Sequence, residues 1–65
     1  MATYRIYHVG GGGRLRLGEA FQASSDGEAV AAAMSLRAAG QAAELWQGGR
    51  LVGRFDRTGA FTPAA

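Results

Sequence analysis

The 65 residues include no cysteine, which excludes disulfides, thiolate metal sites and a thiol nucleophile. A single histidine, His8, cannot build an imidazole metal cluster by itself. No apolar run is long enough to cross a bilayer, because Arg37, Gln41 and Glu44 interrupt the alanine-rich middle. The opening Met1-Ala2-Thr3-Tyr4-Arg5 has no basic-then-apolar leader, and Ala at position 2 is not a myristoylation site. The expectation is a soluble cytoplasmic protein with no metal, no cofactor and no membrane association.

Lysine is also missing. All seven basic residues are arginine (Arg5, Arg14, Arg16, Arg37, Arg50, Arg54, Arg57), against five carboxylates, for a net charge of +2. Arginine alone is the choice of a phosphate-binding surface, but it is equally what a GC-rich coding sequence supplies. Its scatter along the chain favours the second reading.

A chain this short hides only about 60% of its unfolded surface, so its stability is marginal by default. Disulfides, metals and oligomerisation are the usual supports of small folds. With the first two excluded, oligomerisation remains, and a homo-oligomer, a dimer first, is the expected state.

Four strand-like segments and one helix can be read. Thr3 to Val9 is rich in β-branched and aromatic residues and has no helical period. After the Gly10–Gly13 break, Arg14 to Ala23 alternates, with Leu15, Leu17 and Phe21 on one face and Arg14 and Arg16 on the other. Ser25 with Glu28 three residues on makes a capping box, and Asp26 suits the positive end of a helix dipole. The helix is expected from Asp26 to about Ala39, with Gly40 as its left-handed stop. It is dominated by alanine, so Val30, Met34 and Leu36 must supply most of its grip on the core.

Next, two alternating stretches flank Gly48-Gly49, the mark of a hairpin with a type I′ turn. A regular ladder sets Trp46 opposite Leu51 and Leu45 opposite Val52. Leu45 and Val52 then share one face, while Trp46, Leu51 and Phe55 share the other. The expected fold is α+β in the order β-β-α-β-β: a four-stranded, mainly antiparallel sheet with one helix on one face. The preferred strand order is 2-1-3-4, with the helix as the crossover, and a sheet joined through strands two and four is the alternative. Residues 1–56 form the domain, and 57–65 a flexible C-terminal tail.

Enzymatic chemistry finds no support. The four glycines are followed by a strand, with neither Gly-Lys-Ser/Thr nor G-x-G-x-x-G spacing, so they are a turn rather than a phosphate cradle. His8 with Ser24, Ser25, Asp26 or Asp56 lacks the G-x-S-x-G elbow, and the serines are better used as caps. The carboxylates are divided between the helix cap and separate strands. No catalytic, cofactor-binding or metal residue is assigned.

Two binding readings remain. One helix covers one sheet face, which leaves Tyr7, Trp46, Leu51 and Phe55 as an apolar stripe on the open side, the mark of a contact surface. The alternative is a weak single-stranded nucleic-acid binder using Arg14, Arg16, Arg50 and Arg54, with Tyr4, Tyr7 and Trp46 as stacking platforms. No RNP-type signature accompanies those arginines, and Glu19, Glu44 and Asp56 dilute their field.

Tyr4-Arg5-x-Tyr7, the Asp26-to-Ala29 helix opening and Glu44-Leu45-Trp46-x-Gly48-x-Arg50-x-Val52 together resemble an uncharacterised family of short bacterial proteins, a domain of unknown function. The resemblance runs from Tyr4 to Phe55, with Glu-Leu-Trp-x-Gly-x-Arg as its most specific piece. The four-glycine loop and the alanine-heavy helix depart from that family's pattern. The family carries no established activity, so it transfers no site residues. The function expected from the residues is a small non-catalytic interaction module, self-associating through the open sheet face or an edge strand.

Overall fold

The structure, a computed structural model, describes residues 1–64. Strand β1 (Ala2–Val9) turns through the glycine loop into β2 (Leu15–Ala23), and helix α1 (Asp26–Leu36) follows. Strands β3 (Ala43–Gln47), β4 (Arg50–Phe55) and β5 (Phe61–Pro63) complete one antiparallel sheet of order β2-β1-β3-β4-β5. β1 lies between β2 and β3, which therefore run parallel to each other. Parallel strands need a long crossover, and α1 supplies it.

The sheet has five strands rather than four. The added strand lies in the segment expected as a tail, and an aspartate-centred turn builds it. The Asp56 carboxylate accepts hydrogen bonds from the Thr58 amide (2.9 Å), the Thr58 hydroxyl (2.7 Å) and the Ala60 amide (3.0 Å). Gly59 takes a φ of +95°, and Phe61 then pairs with Phe55 and Pro63 with Gly53. The turn's donors hold the Asp56 carboxyl below its ordinary pKa, the Thr58 hydroxyl most of all.

The helix begins where its cap dictates. The Glu28 amide donates to Ser25 Oγ at 3.1 Å. The Glu28 carboxylate reaches one residue further back than a capping box requires, accepting from the amide and hydroxyl of Ser24. Those bonds lower its pKa. At the other end the helix stops at Leu36, three residues short of the expected Ala39, and Arg37 is already extended. Gly40 still takes the left-handed φ of +77°, now within the loop that follows.

The core contains Tyr4, Ile6, Leu45, Val52 and Phe55 from the sheet together with Ala29 and Ala33 from the helix. Met34, expected among its anchors, is 46% exposed. The methyl groups of Ala29 and Ala33 do the packing, because small side chains let the helix backbone approach the sheet closely.

Two register shifts set which residues face the helix. In β3–β4, Leu45 pairs with Gly53 while Trp46 pairs with Leu51, so Val52 is one residue too many. At such a bulge two consecutive residues oppose one, and the alternation beyond it reverses. Val52 and Gly53 are both buried, Arg54 points out, and Phe55 turns inward. In β1–β2, Arg5 pairs with Ala20 and Tyr7 with Leu17, so Ile6 faces both Gly18 and Glu19. That shift moves Leu15 and Leu17 to the face away from the helix, where they are 48% and 69% exposed. Phe21, beyond the bulge, stays packed against the core opposite Tyr4.

Both bulges rest on glycine. A Cβ at Gly18 falls 2.5 Å from the Ile6 carbonyl oxygen and 2.8 Å from its Cγ2. A Cβ at Gly53 falls 2.6 Å from the Thr62 carbonyl oxygen and collides with the Phe61 ring. In the β3–β4 turn only Gly48 has a positive φ, +57°. This meets the single-glycine demand of a II′ turn instead of the double demand of I′.

Candidate functional site: the open face of the sheet

Alternation along β1 sends Tyr4 and Ile6 to the helix and Arg5 and Tyr7 to the opposite, open face. Trp46, paired with Arg5, and Leu51, paired with Trp46, share that open face. The Tyr7 and Trp46 rings meet edge to face at 6.4 Å, and Tyr7 lies opposite Leu17 of β2. A diagonal apolar band thus runs Leu17, Tyr7, Trp46, Leu51 across four adjacent strands. Three of its members are half-buried, and Leu17 stands nearly free.

Phe55, expected in this group, is not part of it. Its ring is 1% exposed and lies in the core, 4.9 Å from Phe61. The bulge at Val52 removed it from the open face; the bulge at Gly18 added Leu15 and Leu17. Neither exchange follows from regular alternation. Gly18 and Gly53, glycines inside alternating runs, were the available signs of a bulge.

Polar groups border the band. The Trp46 indole donates to Glu44 Oε1 at 3.0 Å, and Glu44 Oε2 accepts from Arg54 Nε at 3.1 Å. The Arg5 guanidinium donates to the Gly18 carbonyl at 2.8 Å, which fills an acceptor freed by the bulge. Indole, carboxylate and guanidinium form a chain that holds the Trp46 ring against the sheet.

The four arginines considered for nucleic acid are not brought together. Arg16 lies opposite His8 on the helix side, at the glycine-loop end. Arg50 sits at the other end of the molecule, where its guanidinium grips Asp26 through two bonds of 2.9 and 3.0 Å and also bonds Gln47. Tyr4 donates its hydroxyl to the same carboxylate at 2.8 Å. This network ties the start of the helix to the β3–β4 turn. It holds the Asp26 carboxyl down to about 2, Arg50 first and Tyr4 second, and it raises the Tyr4 phenol. Arg54 is on the opposite face and paired with Glu44.

Among the described residues no three of His, Asp or Glu converge as metal ligands. His8 pairs with Arg16 and Ala43, about 20 Å along β1 from the end that carries Ser24 to Asp26. No triad forms. A cleft of about 580 Å3 opens beside Leu51 and Arg54 and runs to Thr62 and Ala64. Another, of about 380 Å3, lies between the four-glycine loop, Gly40 and Arg57. Neither gathers a nucleophile with a base. No described helix is long and apolar enough to cross a membrane.

No family model, no curated protein and no solved structure matches this chain. The likeness of the Glu44–Val52 block to short bacterial proteins therefore gains no support from these comparisons and meets no contradiction in them.

Proposed function

We propose that this chain is a small non-catalytic interaction module that self-associates through the sheet, by its open face or by the β2 edge. The observation that carries the reading is the diagonal band of Leu17, Tyr7, Trp46 and Leu51. Aromatic groups at the centre of a desolvated patch, with charged groups around them, are the usual energetic anatomy of an interface. Among the described residues the buried core numbers nine, four of them alanine, which leaves this fold in need of burial from outside the protomer.

Light scattering at micromolar concentration tests the reading. Wild-type protein is expected at twice its 6.7 kDa chain mass. Trp46→Arg and Leu51→Asp are expected at the single-chain mass, with circular dichroism showing that both still fold. A wild type that stays monomeric at every accessible concentration overturns it.

A further inference from the structure

We infer that the occupant of the open face is a second copy of this chain, packed face to face as a two-layer sandwich, and that the β2 edge is not the joint. This rests on the self-association reading above and selects one geometry for it.

The two edges of the sheet are both poor templates for strand addition. β2 is nine residues long, but the bulge at Gly18–Glu19 breaks its regular ladder midway. A copy paired antiparallel along Leu15–Leu17 sets Arg16 against its own mate, since Leu15 opposite Leu17 centres the pair on Arg16. At the other edge β5 has three residues and ends on proline. Bulges, edge charges, short strands and proline are the devices by which proteins block edge pairing.

The face has the opposite character. Leu17 and Leu15 are among its most exposed groups, although leucine has no reason to stand in water on a sheet that has its own core. Its central carboxylate is already engaged, because Glu44 binds both the Trp46 indole and Arg54, and the Arg5 guanidinium is turned to the Gly18 carbonyl. Stacking two such faces strands no carboxylate.

Size agrees as well. Stable interfaces take about 600–1,000 Å2 from each partner, and the two longer extents of the molecule, 33 and 23 Å, give a flat face of about 760 Å2. The open face can supply that area only by contributing nearly all of itself. An aligned sandwich of two sheets does so, with side chains interdigitating across about 10 Å.

Trp46 is the only tryptophan, so its emission reports on this face alone. The experiment is a concentration series up to about 1 mM, followed by sedimentation mass, by Trp46 emission and by acrylamide quenching. Mass doubling accompanied by a blue shift and loss of quenching is the expected result. Leu17→Asp, at a position too exposed to matter for folding, is expected to weaken the dimer about 30-fold or more, with Leu15→Asp as the second variant. Glu19→Lys, on the edge, is expected to leave it intact.

Mass doubling with unchanged indole quenching, or dissociation by Glu19→Lys but not by Leu17→Asp, overturns the sandwich while self-association stands. A monomer throughout the series overturns both.

Discussion

The two central hairpins share a design and use it to opposite ends. Each has one extra residue, placed at a glycine whose hydrogen faces a backbone carbonyl. In β3–β4 the bulge turns an aromatic residue inward, and Phe55 becomes one of the largest fully buried side chains. In β1–β2 the bulge turns Leu15 and Leu17 outward, away from a core they were patterned to join. The same backbone irregularity enlarges the core in one hairpin and furnishes the open face in the other. A bulge changes the face of every residue beyond it, so its effect depends on which side chains follow.

This contrast is open to attack at several points. The largest effect is expected from Phe55→Ala, which leaves a cavity beside Phe61 and costs about 4 kcal/mol in urea unfolding, enough to unfold a domain of this size. Gly53→Ala follows at about 3 kcal/mol, because the new methyl meets the Thr62 carbonyl and the Phe61 ring; loss of amide protection in Phe61–Pro63 would locate the damage. Gly18→Ala, at the sheet edge where β2 has room to move, should cost less, about 2 kcal/mol. Leu17→Asn should change protomer stability by under about 0.5 kcal/mol. If Leu17→Asn destabilised the monomer as much as Phe55→Ala, the two bulges would not differ in the way described.

The smallest test concerns the clamp that anchors the helix to the second hairpin. Asp26 has a folded-state pKa near 2, below its ordinary 3.8, so its contribution is complete above about pH 4 and is lost as the pH falls toward 2. Asp26→Asn should reduce stability at neutral pH and flatten the acid limb of the stability profile over that window. Arg50 stays charged throughout and adds no slope of its own.

The order of the elements was readable because it depends on local chemistry. The Ser25–Glu28 cap, the alanine helix and the two hairpin turns each announce themselves within a few residues. The 2-1-3-4 core of the strand order follows from the crossover that the helix must make. The fifth strand was legible in principle. Asp56-x-Thr58-Gly59 is a turn signal, and Phe61-Thr62-Pro63 alternates after it, but three residues at a chain end look like a tail. Trp46 and Leu51 were placed correctly on the open face, since both precede the bulge on their hairpin. Phe55 was misplaced because it lies beyond it.

Local sequence determined where strands, helix and turns begin, through capping, turn conformation and side-chain alternation. Only the folded sheet decided which residues face the helix. Whether an interior glycine merely weakens a strand or admits an extra residue depends on what the neighbouring strand brings against it. For Gly18 that neighbour is the Ile6 carbonyl, and for Gly53 it is Thr62 and Phe61 from the far end of the chain. Those contacts exist only after the strands have paired, and no pattern within a single strand contains them.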